Sequence, residues 1–200
     1  MEMLELKVQE NNRALAAELS FVRGRVLGLV AGNHSWKFIN GTTSDDDLAG
    51  RLDSECIGWL CHYTIKVTFG TTASPKQINI NIVLCHGQAG GRTVGASVNQ
   101  MDYIRRIFPA ADIYVAGHDH QRYAKPDSVL IPSTDGKTKQ KRQFLCRAGS
   151  FKKAYVPGAS GYEIGRLLKP SDLGGLMMTI AFHRDKVDGD RIITDIEARI

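Results

Sequence analysis

Three apolar runs, each ending in a turn that carries glycine with histidine or asparagine, constrain this chain more than any other feature. Leu27-Gly28-Leu29-Val30-Ala31 leads into Gly32-Asn33-His34, and Ile78-Asn79-Ile80-Asn81-Ile82-Val83-Leu84 leads into Cys85-His86-Gly87. Ala111-Asp112-Ile113-Tyr114-Val115 leads into Ala116-Gly117-His118-Asp119-His120. Runs of this kind read as strands, and in an α/β sheet ligands collect at the carboxyl ends of strands. Five polar groups are therefore expected to converge: Asn33, His34, His86, His118 and His120. A lone histidine is more often structural than a ligand, but three such turns together form a metal-site pattern. Gly117 permits the close backbone approach that a His-x-His turn needs. His62 and His183 lie inside strand patterns and read as structural or surface residues.

Around these runs the pattern predicts an amphipathic helix over 11–23, with Leu15, Leu19 and Val22 at helical spacing and Gly24 as its stop. A strand is expected at 25–31. A short helix is expected over 45–58, where Asp45, Asp46 and Asp47 suit a helix N-terminus. Strands are expected at 62–69 and 77–85, a helix near 97–108 ended by Pro109, and a strand at 111–116. Beyond 121 the chain reads as strands at 127–131, 142–148, 176–183 and 190–198. A length of 200 residues suits one domain, and no repeat or clear linker divides residues 1–200.

The net charge of +5 suits a phosphate-bearing partner. Only Lys137-Thr138-Lys139-Gln140-Lys141-Arg142 concentrates that charge, and a solvated hairpin turn accounts for it more simply than a nucleic-acid contact. Cys56, Cys61, Cys85 and Cys146 form no CxxC pair and no disulfide framework, so a reduced, cytoplasmic setting is expected. No run approaches the ~20 apolar residues that cross a bilayer, and residues 1–7 do not resemble a signal peptide.

Gly32-Asn33-His34, then His86, then Gly117-His118-Asp119-His120 resemble the last three motifs of the calcineurin-like metallophosphoesterases. Arg147-Ala148-Gly149-Ser150-Phe151-Lys152-Lys153-Ala154-Tyr155 is similar to the strand that follows them in phage-encoded members. The resemblance runs from the helix before Gly32 through the β-rich tail. It implies an α/β (α+β) fold, a metallophosphoesterase-like β-sandwich flanked by helices and lacking the first strands. It also implies hydrolysis of a phosphomonoester or phosphodiester by a metal-bridging hydroxide, in a host cytoplasm if the chain is phage-encoded. By the same resemblance Asn33, His86 and His118 hold one metal, His120 belongs to the other, and His34 assists the leaving group as the catalytic residue. Imidazole and amide oxygen suit Mn, Fe, Zn or Ni rather than Mg or Ca. Arg92, in the loop Gln88-Ala89-Gly90-Gly91-Arg92-Thr93-Val94-Gly95, is expected to bind a substrate phosphate.

The family begins with Asp-x-His and Gly-Asp strands, whereas residues 1–32 contain no aspartate and no histidine. Asp45 lies after Gly-Asn-His, outside the family order, and Asp119 is expected to orient its turn. The divalent ions number two in the complete family site and one or none here. Two explanations follow: the chain is the C-terminal portion of a longer or split enzyme completed by a missing N-terminal segment or partner chain, or it is a short relative without catalysis. The alternative function is a non-catalytic module that binds nucleic acid or protein. A third is a structural single-zinc domain using His86, His118 and a cysteine.

Overall fold

Apolar alternation from residue 60 onward builds one mixed sheet and one separate hairpin. The structure is a computed structural model describing residues 2–70, 73, 75–88, 93–133, 136–158, 161–165, 170–171, 173–185 and 191–200. Strands β1 (Leu60–Phe69), β2 (Lys76–Cys85), β3 (Ile113–Ala116), β4 (Arg122–Pro132) and β5 (Thr138–Ala148) lie in the order β1-β2-β3-β5-β4. β3 runs parallel to β5 and β4 antiparallel to it. Strands β6 (Met177–Asp185) and β7 (Arg191–Arg199) pair antiparallel. The helices are α1 (Glu2–Glu18), a 3-10 turn (Ser20–Val22), α2 (Ser44–Arg51), α3 (Val94–Ile107) and α4 (Tyr162–Gly165). The chain is mixed α/β, and it divides into two compact units: residues 1–63 with 83–87, and residues 64–82 with 88–200.

In the second unit, successive strand residues point to opposite faces, and both faces are covered. Ile80, Ile113, Phe144 and Cys146 are buried together, and Met178, Ile180, Phe182 and Ile196 of the β6–β7 hairpin pack against them. Burying each such side chain contributes roughly 1.5–3 kcal/mol. Desolvation pushes the Cys146 thiol up to about 12, so it behaves as a small core residue. The neighbouring β5 residues Gln143, Leu145 and Arg147 face the other way and are fully buried with Tyr114 of β3 and with Ser97 and Met101 of α3. Thr93 caps α3 by accepting from the Ala96 N–H. Past Pro109, the Gln143 amide donates to the Pro109 and Ala111 carbonyls at 2.9 and 2.7 Å. The basic run expected as a hairpin turn is instead the start of β5, where Thr138–Arg142 pair with β4, and the Ser133 N–H donates to the Lys137 carbonyl at 2.7 Å.

The first unit departs from three sequence expectations. The helix expected over 11–23 begins at Glu2 and ends at Glu18. Strong helix formers (Glu, Leu, Lys, Gln) carry it, but their polarity conceals any apolar stripe, and residues 20–22 tighten into a 3-10 turn. The strand expected at 25–31 is a single parallel bridge between Leu29 and Cys56. The helix expected over 45–58 stops at Arg51. Thr43 and Asp46 form a capping box at its start. At its end Asp53 takes a left-handed φ of 54°, with Asp53 N–H donating to Gly50 and Ser54 N–H to Ala49. That is a Schellman stop built on aspartate rather than glycine. Arg23 pairs with Asp53 through two hydrogen bonds at 2.8 and 3.0 Å.

Asp47 ties α2 to α1. Its Oδ2 accepts from Asn12 at 2.9 Å and from Arg51 at 3.0 Å. Burial pushes its carboxyl up, but hydrogen bonds from Arg51 and Asn12 and the charges of Arg51 and Arg13 outweigh burial and hold it below the usual carboxylate range. A lowered folded-state value stabilises the fold above the ordinary carboxylate range, and that share is lost as pH falls through the lowered value. Asp47→Asn is therefore expected to destabilise the chain at neutral pH by an amount that shrinks below about pH 4. Urea denaturation of both chains at neutral pH and at about pH 3 reads this; a difference that persists undiminished in acid would contradict it.

Candidate metal centre

In the first unit, parallel pairing carries the chain to its first glycine turn. Leu29 N–H donates to the Glu55 carbonyl, Ile57 N–H to Leu29, and Ala31 N–H to Gly58. Gly32-Asn33-His34 follows directly. His86, just past β2, is held by its N–H to the Trp59 carbonyl at 2.9 Å and by edge contact of its ring with Trp59 at 5.4 Å. This brings His86 Nε2 to 2.9 Å from Asn33 Oδ1. With the proton on Nε2 the pair is a hydrogen bond. With it on Nδ1, both atoms present lone pairs to one point. At bond lengths of about 2.1 Å, neighbouring ligands of a six-coordinate ion lie roughly 3 Å apart, so the pair fits two positions on a divalent cation. His34 is exposed on the same turn.

A carboxylate stands beside this pair. Gly32 N–H donates to Asp45 Oδ2 at 2.7 Å, and Ser44 Oγ lies 3.4 Å from Asp45 Oδ1. A side-chain carbon on Gly32 would lie 3.7 Å from Asp45 Oδ2, 3.7 Å from His86 Cε1 and 3.9 Å from His86 Nδ1. Motif order had set Asp45 aside, and only the folding of α2 against the turn places it there.

In the second unit, β3 delivers His118 and His120 on a turn that two buried charges hold. His118 has φ 71° and His120 φ 58°, a left-handed backbone that costs a non-glycine residue roughly 1–2 kcal/mol. Asp119 between them is 6% exposed, and Arg147 is fully buried. Asp119 accepts from the Ser97 hydroxyl and from Gln121 N–H at 3.1 Å. Arg147 donates to the Gly117 carbonyl at 2.7 Å and to Gln100. Its Nε stands 3.2 Å from Asp119 Oδ2 but off the line of a hydrogen bond, so that contact is chiefly Coulombic. Asp119 thus orients the turn, as its place in the sequence suggested. Ser97 and Arg147 had no such signal.

Strain of this kind gathers at functional sites, and it yields an expected result. His120→Gly leaves stability unchanged or raises it by up to about 1 kcal/mol, because glycine adopts the same φ freely. A loss above about 1 kcal/mol in urea denaturation would show that His120 is structural.

Arg92 lies outside the described residues. His62 and His183 are exposed, and His183 stands 3.3 Å from Asp195. Among the described residues no group of three or more His, Cys, Asp or Glu side chains is placed to hold a metal. No helix among them is long and apolar enough to cross a membrane. No protein-family profile, no curated protein and no solved structure matches this chain.

Proposed function

We propose that the chain is a metal-dependent phosphoesterase of the calcineurin-like type, with Asn33 and His86 at the heart of its metal site. The observation that carries this reading is the 2.9 Å approach of Asn33 Oδ1 and His86 Nε2. The two are 53 residues apart in sequence, and each ends a segment of the pattern that suggested the family. A bound divalent ion supplies charge neutralisation on phosphoryl oxygens. Asn33 and His86 bind that ion, and the exposed His34 is placed on the same turn to give a proton to the departing oxygen. His118 and His120 share the strained turn after β3. A net charge of +5 favours an anionic substrate.

With Mn present, the chain is expected to hydrolyse a generic phosphodiester. His86→Ala and Asn33→Ala should each lower kcat/KM by at least about 10–100-fold, and His34→Ala should lower kcat by roughly 100-fold or more. Absence of metal-dependent hydrolysis, or hydrolysis indifferent to both ligand substitutions, would overturn the reading.

One feature supports nucleic-acid binding as a second reading: Lys137, Lys139 and Arg142 are exposed on the β4–β5 hairpin. Binding to DNA that weakens steeply with salt, with a slope reduced by Lys137→Gln and Lys139→Gln, would favour it. Salt-insensitive or absent binding would count against it.

A further inference from the structure

We propose that Asp45 is the anionic partner of the Asn33–His86 pair, supplying the negative charge that the two neutral donors lack. This rests on the reading of Asn33 and His86 as metal ligands. Two neutral ligands hold a dication weakly, and a nearby carboxylate adds Coulombic attraction. Asp45 Oδ2 and the Cε1–Nδ1 edge of His86 approach the same point beside Gly32, at 3.7 to 3.9 Å. Nε2, bonded to Cε1, faces Asn33 at 2.9 Å. A metal on Nε2 requires the proton on Nδ1, and the carboxylate stands close enough to the ring to add its charge to the two neutral donors. The Gly32 N–H fixes the carboxylate at 2.7 Å, and glycine leaves the space between acid and ring open.

Calorimetric titration of Mn into the full chain tests the role. Asp45→Asn keeps an amide oxygen for the Gly32 N–H and removes only the charge. Its Kd for Mn is expected to rise by roughly 10–100-fold, with an unchanged melting temperature in the absence of metal. Asp45→Glu is expected to recover affinity to within a few-fold, and Glu10→Gln, the same charge loss on α1, to leave it unchanged. If Asp45→Asn fails to fold, Asp45→Ser, whose hydroxyl also accepts from Gly32, is read in its place. Unchanged Kd in the neutral variant, with binding lost in His86→Ala, would overturn the role of Asp45 and leave the phosphoesterase reading standing. Mn binding unaltered by His86→Ala would overturn both.

Discussion

Replacing Arg147 with methionine is expected to lower the free energy of unfolding by about 3–5 kcal/mol, the cost of orphaning one member of a buried ion pair. The guanidinium is fully buried and reaches Asp119, the Gly117 carbonyl and Gln100. Methionine fills much of its volume but leaves the 6%-exposed Asp119 carboxylate, among the described residues, with the Ser97 hydroxyl and the Gln121 N–H. Removing the second charge as well should recover part of the loss. Arg147→Met with Asp119→Asn is expected to be less destabilised than the sum of the single changes by about 0.5–3 kcal/mol. Urea denaturation reads all four chains. A single-variant loss under about 1 kcal/mol would mean that the carboxylate is solvated or relaxes freely. The same measurement bears on the site, because this network holds His118 and His120 in their left-handed backbone.

Gly149→Ala should cost about 2–5 kcal/mol, from two separable causes. Gly149 has φ +84°, and a side-chain carbon there would collide with the Gly174 carbonyl oxygen and press on Arg122 at 3.2 Å. The residue cannot shift cheaply: its N–H donates to the Gln121 carbonyl at 2.9 Å, and Gly174 N–H donates to Ser150 at 2.9 Å. Gly136→Ala separates the causes, since Gly136 has φ +77° with no atom within 4 Å of the added carbon. That variant should lose only the conformational share, about 1–2 kcal/mol. Equal losses at the two positions would show that the Gly174 contact yields without cost.

The strands of the second unit were legible because alternation writes itself into sequence: 77–85 and 142–148 fall within β2 and β5. The basic run 137–142 reads as a turn because it is polar, yet 138–142 pair in β5. α1 was half hidden, since nothing in residues 2–10 distinguishes an exposed helix from a polar tail. The end of α2 was hidden because Asp53 takes a conformation for which glycine is the usual signal. Within the site, Asn33 and His86 were legible as the polar residues that close apolar runs. Asp45 was not, since its proximity to Gly32 exists only after α2 folds. Arg147 was not either: arginine is almost never fully buried unless paired, and its partners lie on α3 and on the turn after β3.

The most direct measurement is an NMR titration of paramagnetic Mn into chain carrying isotope-labelled histidine, read at the imidazole line widths. Broadening of His86 and of the adjacent His34 ahead of every other histidine is expected at substoichiometric Mn. A His86 signal that stays as sharp as those of His62 and His183 would contradict the metal site on which this account rests.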